Sequence, residues 1–539
     1  MPTRSVTTDV VVVGGGPAGL LAAVSAAHHG LQVLLVEADE VLGGSAAAGD
    51  GLLWLPQVPV GERGPGQAAR SYLDALYGTG DPRREAFVET APDLHHFLAE
   101  IGAPLALVAG EPDGHPEETG GRRSGRVFEP VATTTRRLGQ QSGLVRLGTG
   151  SATYAQRRRM VQASRNPRGV LAAVQVFGGR GMLGRLAGRE PAVGASALLV
   201  GLVAAAAEAG VKIWRGCPLR HVEPGPPSAA IVHRDGAEMR LTAERGVVLA
   251  CGGFSHDRTA RSRYLGPAAD EAWSLACRYA DGTALRIAQE LGAATGGFGN
   301  AEWRPSLRLG DGSFHPVTVA RAMPGSVLVD AAGTRFCNEN SGSVELGRAM
   351  LERSRQVSAA PAFLVLDARH RSRFPLGPWP PRLLTTHAVR DGEVTKADHP
   401  TALAGQLGID KAGLIGSLAR FNSFAQKGRD DDFRRGVSAW DKAHGLLFHR
   451  PNRCLGPLDL PPYYAVRVYL SEVSTRGGLL TDADARLFDL AGDPLPTVFA
   501  VGSASALPWG DRDPGPGAGL AASLVAALRA AATLAGDSA

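Results

Sequence analysis

Three stretches of this sequence carry residue types and spacings that chemistry can use. Gly14, Gly16 and Gly19 stand in G-x-G-x-x-G order, and Glu37 follows eighteen residues after the last of them. Far downstream the chain reads WGDRDPGPGAG from Trp509 to Gly519, so Asp511, Arg512 and Asp513 run straight into alternating prolines and glycines. A histidine, His115, stands in the segment PDGHPE. The glycines belong to anion binding: they permit a tight turn and close approach to a pyrophosphate, a helix N-terminus attracts that charge, and the acid accepts from a ribose hydroxyl. The second stretch holds charge against a stiff turn, since proline keeps φ near about −65° and glycine is free to take positive φ. Its simplest reading is an Arg512–Asp513 pair at a cleft rim. Histidine suits proton transfer near neutrality.

These residues need elements to position them. Residues 9–13 form a β-branched run that suits a buried parallel strand, an alanine-rich helix follows the glycines, and residues 33–36 form a second strand ending at Glu37. Pro17 and Ala18 open the helix. The next segment, ADEVLGGSAAAGDGLLWLP, brings Ala38, Gly43, Gly44, Ser45, Gly49 and Asp50. A glycine pair after a ribose-binding acid favours FAD over NAD, because the chain then runs back along the cofactor. Two later strands end in glycine turns: 246–250 before Gly252 and Gly253, and 498–501 before Gly502. Both return to the nucleotide sheet. The fold class is therefore α/β, with a Rossmann-like FAD-binding domain that is discontinuous (1–275 and 469–539) and an inserted α+β substrate domain over 276–468. A second G-x-G-x-x-G at Gly179, Gly181 and Gly184 has no strand-ending acid after it, since Glu208 lies in an alanine-rich helical stretch. No NAD(P)H site is visible, and electrons pass through substrate, oxygen or an external acceptor.

The 539 residues are 44% hydrophobic and 20% charged, which suits a globular protein of two or more domains. A net charge of +5 with scattered basic clusters argues against nucleic acid as a partner. Five cysteines without a C-x-x-C argue against a disulfide framework or zinc and for the cytoplasm. The apolar run beginning at Val10 is broken by glycines, and no other segment is expected to span a membrane.

With these motifs in place, the chain resembles the FAD-dependent 3-ketosteroid dehydrogenases, relatives of the soluble fumarate reductases. The resemblance runs nearly end to end, through GVVLACGGFSHD, GTRFCNENSGSVELGRAM, NRCLGPLDLPPYYAVRV and the closing PGPGAG. It implies an enzyme that removes two hydrogens from adjacent carbons beside a ketone: a base takes the α proton, a donor polarises the carbonyl, and the flavin takes the β hydride. It also implies that Ala518 and Leu520 face the cofactor. The family's base is a tyrosine, and here that position is Ser343. Its carbonyl-polarising tyrosine falls on Asp513, and a further tyrosine falls on Gly114, beside His115. Gly517, whose backbone N–H helps hold the ketone oxygen, remains. The fumarate-reducing relatives' arginine acid is missing near Ser343. A serine needs an activating partner to act as a base. An ionised Asp513, favoured by Arg512 beside it, would repel an enolate and would suit a hydroxyl, an amine or a proton to be abstracted, and it could donate a hydrogen bond only if burial raised its pKa enough to keep it protonated. Three functions follow: a dehydrogenase of a cyclic ketone or steroid-like substrate; an enone or enoate reductase with Arg512 as its acid; or a flavin-binding protein that has lost redox activity. Asn338 and Glu339 read as structural, Tyr463 and Tyr464 as packing, and Glu472 as lying near the flavin.

Overall fold

The computed structural model describes residues 4–58, 66–148, 150, 152–162 and 191–536. Its largest sheet has eight strands. Arg4–Val13 lies between two parallel neighbours, Val33–Val36 and Ala237–Leu249, and pairs Val10 with Val33 on one side and with Gly246 on the other. Valines suit this position because both faces of the strand are covered; Val10, Val11 and Val12 are fully buried. Lys212–Trp214 extends the parallel set on one edge and Pro494–Ala500 on the other. The nucleotide-binding sheet thus takes strands from both ends of the chain. Leu219–Glu223, Ser228–Arg234 and the first half of Ala237–Leu249 form an antiparallel flap off its edge.

Helix Pro17–His28 starts with proline in its first turn, where a missing N–H costs nothing, and closes at Gly30 with φ of +82°. The apolar helices Ala195–Glu208 and Ala518–Ala535 pack along it. Ala518–Ala535 is long and apolar enough, by length and composition, to cross a membrane, which corrects the expectation that no segment beyond the N-terminal run would be. It is 61% buried against its neighbours, as a core helix is. The second G-x-G-x-x-G, at Gly179, Gly181 and Gly184, lies outside the described residues.

The middle of the chain builds a four-stranded antiparallel sheet in the order Ser326–Val329, Ala362–Leu366, Tyr463–Val468, Thr395–Ala397. Tyr463 and Tyr464 are part of its third strand and pair with Ala397 and Lys396. Helix Lys411–Lys427 covers one face; Asp410 caps its start by accepting from Gly413 N–H, and Gly428 ends it in the left-handed region. Beside this core lies a buried ionic cluster. Arg335 bridges Glu339 and Asp430, and Arg435 reaches Glu339 at 3.0 Å. Burial would raise the Glu339 carboxyl, but the two guanidiniums hold it below its ordinary value. Two short antiparallel pairs, Thr295–Gly296 with Gly478–Leu479 and Ala301–Trp303 with Glu472–Thr475, tie this part to the returning chain.

Candidate active site

The glycines after the first strand differ in what a side chain would meet. A Cβ at Gly14, where φ is +115°, would stand 2.2 Å from the carbonyl oxygen of Ala250, and one at Gly19 would stand 1.9 Å from that of Gly14. A Cβ at Gly16 would meet nothing within 4 Å. Two glycines are therefore needed for packing, and the middle one keeps open a space at the N-terminus of Pro17–His28, whose end no side chain caps. Glu37 is buried at the end of the second strand, where its carboxylate accepts from Gly15 N–H at 2.6 Å and Asp39 N–H at 2.8 Å. Burial raises its pKa, and those N–H groups oppose the rise. The cradle fits the pyrophosphate and ribose of a dinucleotide. Gly16→Ala is expected to keep the fold but weaken FAD binding about tenfold or more, as read by flavin titration beside a melting curve; Gly19→Ala should fail to fold.

From this cradle runs a cavity of about 910 Å³. Gly14, Gly16, Pro17, Ala18 and Gly19 line one end with Glu37 and Ala38. Gly44, Ser45, Gly49 and Asp50 line its floor, and Gly252, Gly502 and Leu520 its flank. Gly43, Gly253 and Ala518 do not line it. Asp50 is clamped by Arg157 at 2.5 Å and by both arms of Arg304 at 3.1 and 3.2 Å. Although burial acts to raise it, the two guanidiniums pull its pKa down to about 2.

At the far end stand Asp513, Gly517 and Ser343. The turn carrying Asp513 is held from several sides: Tyr72 OH donates to Pro514 O at 2.8 Å, Tyr77 OH donates to Arg512 O at 3.0 Å, and Arg476 donates to the carbonyls of Gly510 and Arg512. Gly517 has φ of +89° and starts helix Ala518–Ala535. Its N–H has no acceptor among the described residues, and it opens on the cavity.

Two expectations for this turn are corrected. Arg512 neither pairs with Asp513 nor faces the cavity: it turns outward to Glu118 at 2.7 Å, and with His115 it lines a smaller outer hollow. Nor do the surroundings of Asp513 favour its carboxylate form. Burial drives its pKa well above the ordinary range; Arg476 opposes this from 3.6 Å, too far to donate a hydrogen bond, while Glu302 and Glu345 reinforce it. Ser343 has a partner that its own neighbourhood in the sequence does not reveal. Arg321, from the short helix Thr318–Ala322, donates to Ser343 Oγ at 3.2 Å and lines the cavity with it. Burial draws the Arg321 pKa down to about 10, so the guanidinium stays charged at neutral pH. A cation thus reaches this position from 22 residues upstream.

Comparison with known proteins decides the family. The FAD-binding-domain family matches residues 9–520. A 3-oxosteroid 1-dehydrogenase of Mycobacterium tuberculosis is 33% identical, over 94% of this chain and 95% of that protein. The chain belongs to the FAD-dependent 3-oxosteroid dehydrogenase family. The 3-ketosteroid delta1-dehydrogenase of Sterolibacterium denitrificans, solved with 1,4-androstadiene-3,17-dione, superposes with a TM-score of 0.93 at 31% identity, over 98% of this chain and 99% of that one. A 4-oxocyclohexanecarboxylate 2-dehydrogenase of Sinomonas cyclohexanicum is 31% identical over 99% of this chain and 94% of its own length. As a member of this family the chain is an FAD-dependent oxidoreductase acting on CH–CH bonds, with a small-molecule substrate.

Several of the cavity groups come from parts of the sequence that carry no motif. Glu111, fully buried, meets His444 Nε2 and Tyr154 OH at 3.0 and 3.2 Å and Arg158 at 2.6 Å. Tyr154, Arg158 and His444 all line the cavity. Glu111 and His444 are 333 residues apart, which explains why their pairing was not legible. Glu472, expected near the flavin, is fully buried in a bidentate pair with Arg261, and its strand neighbours Val473 to Thr475 line the cavity instead.

Proposed function

We propose that this enzyme introduces a carbon–carbon double bond beside the carbonyl of a cyclic ketone, and that 3-keto steroids and carboxylated cyclohexanones, the substrates named for its relatives, are the classes to test first. The observation that carries this reading is the meeting of the Asp513 carboxyl and the free Gly517 N–H at one cavity wall. Burial favours the neutral form of the Asp513 carboxyl, and in that form it can donate a hydrogen bond, as the tyrosine implied there by the resemblance would. The helix end behind Gly517 adds its positive pole. Together the two donors suit a ketone oxygen that gains negative charge as the adjacent proton departs. FAD, held by the Gly14–Gly19 turn, Glu37 and the Gly44–Asp50 segment, supplies the hydride acceptor when bound. The chain's own residues hold the ring and its oxygen, exclude water and receive the α proton. Electrons then leave through an external acceptor, and the unpaired cysteines suit a reducing cytoplasm.

The test is anaerobic. Oxidised enzyme is mixed with 4-androstene-3,17-dione or with 4-oxocyclohexanecarboxylate, and bleaching of the flavin by either supports the reading. If neither bleaches it, while an enone rapidly reoxidises dithionite-reduced enzyme, the reaction runs in the reductive direction and the reading falls.

A further inference from the structure

Dehydrogenation beside a ketone releases one proton per turnover, and that proton has to be taken up inside the cavity and then carried out of it. Ser343 is poorly suited to the first task, because its oxygen already accepts from the Arg321 cation. The wall beside it offers another group. A second hollow of about 200 Å³ lies outside the main cavity, and Gly114, Ser341, Gly342, Glu345 and Trp440 line both. Of these five, Glu345 alone carries an ionisable group.

Glu345 is the third residue of helix Ser343–Ser354. Its carboxylate lies back across Gly342, where a Cβ would stand 2.2 Å from Oε2, so glycine is required for this conformation. Oε1 accepts from Asp513 N–H at 2.9 Å, which fixes the carboxylate beside the carbonyl-holding turn. The same oxygen meets His115 Nε2 at 3.3 Å from the other side. His115 is part of the outer hollow and not of the cavity, and its side chain is 21% exposed. Its backbone is fixed by an N–H bond to Tyr72 OH at 3.0 Å. The other charged and titratable groups acting on Glu345 are Asp513 and Arg321, which line the cavity, and Arg476 and Tyr77. Facing the hollow are Glu117, Asp441 and the Arg512–Glu118 pair. Burial acts to raise the Glu345 carboxyl, but His115 and the Asp513 N–H hold it below its ordinary value, so it is ionised and ready to accept. Such a carboxylate is a weak base, adequate when the carbonyl oxygen is hydrogen-bonded at the same time.

Building on the dehydrogenase reading, we propose that Glu345 is the base that takes the α proton and that His115 passes it to solvent, so that a carboxylate–imidazole pair crossing the wall replaces the family's tyrosine. The α C–H bond breaks with its electron pair left on the substrate as an enolate, and the proton adds to a Glu345 oxygen. The carboxyl gives it to the His115 nitrogen that faces it when that nitrogen carries no proton, and the other ring nitrogen releases a proton to water in the outer hollow. No electrons change hands in these steps; the hydride that completes the oxidation goes to FAD.

Proton uptake and proton exit are separable by experiment. Dithionite-reduced holoenzyme in D₂O cannot oxidise the ketone, so deuterium entering its α position, followed by NMR, reports the base and the exit route together. Flavin bleaching in a single turnover of oxidised enzyme needs the base alone. Either ketone of the panel serves as probe. Glu345→Gln should slow both processes about 10²- to 10⁴-fold, with the flavin spectrum and melting temperature retained. His115→Gln should slow exchange about tenfold or more while bleaching changes far less, and added imidazole should restore exchange in His115→Ala. Full exchange in Glu345→Gln, or its loss in Ser343→Ala but not in Glu345→Gln, would overturn the base. Equal slowing of exchange and bleaching in His115→Gln would overturn the exit route. A wild-type enzyme that exchanges α hydrogens without ever bleaching leaves the pair standing and removes the dehydrogenase reading instead.

Discussion

Asp513→Ala is expected to slow flavin reduction by the ketone about 10²- to 10³-fold, the usual effect of deleting one of two donors to a developing oxyanion. The loss should appear in the rate of bleaching more than in substrate affinity, because the hydrogen bond strengthens as charge builds on the oxygen. Asp513→Asn is the informative partner. Its amide still donates, so it should recover much of the rate, and it cannot ionise. The wild-type rate should fall as pH rises through the raised pKa of Asp513, since the carboxylate cannot donate and repels the enolate. That alkaline limb should be absent from the Asn variant. Stability should follow the same sign. Unfolded aspartate ionises near pH ~3.9, while the folded group stays protonated well above that, so over this window the folded state binds more protons and becomes less stable as pH rises. Asp513→Asn should therefore unfold later than the wild type at alkaline pH and show little advantage in acid. An ionised Asp513 at neutral pH, read by isotope-edited infrared spectroscopy of the carboxyl band, would sink this account.

Gly114→Tyr, which introduces the residue that the resemblance implies at this position, is expected to inactivate and destabilise the protein. A Cβ at Gly114 would stand 2.1 Å from the carbonyl oxygen of Asp513, and Gly114 N–H donates to Pro514 O at 2.8 Å. The obstacle is backbone in a turn held by Tyr72, Tyr77 and Arg476, so it cannot swing aside as the tip of a side chain could. Overpacking typically costs about 1–3 kcal/mol and more where nothing can relax; this site belongs at the upper end. Gly114→Ala should share most of the loss, because the clash begins at the first carbon. A Gly114→Tyr protein that melts at the wild-type temperature would show that the turn can move away from residue 114. The same contact couples positions 114 and 513. The chain that carries Asp513 occupies the space a side chain at 114 would need, so the two positions are expected to change together.

The nucleotide end was legible because its determinants are local. A strand, a turn, a helix and a second strand are consecutive, and the requirements for glycine at 14, 16 and 19 arise within about twenty residues or from the adjacent strand. The sequence by itself determined the α/β class, the FAD cradle with its terminal Glu37, the return of a late strand to the first sheet, and the serine, aspartate and glycine at the three positions where the resemblance implies tyrosines. Tertiary structure alone decided what replaces them. Whether Asp513 is neutral depends on its burial and on Glu302, Glu345 and Arg476, which arrive from other elements; its chain neighbour Arg512, the one charge the sequence sets beside it, turns away to Glu118. The partners of Ser343 and His115 likewise come from Arg321 and Glu345, the latter 230 residues from the histidine. Protonation and pairing are set by distance and desolvation in space, and a linear sequence records neither for residues that meet only when the chain has folded.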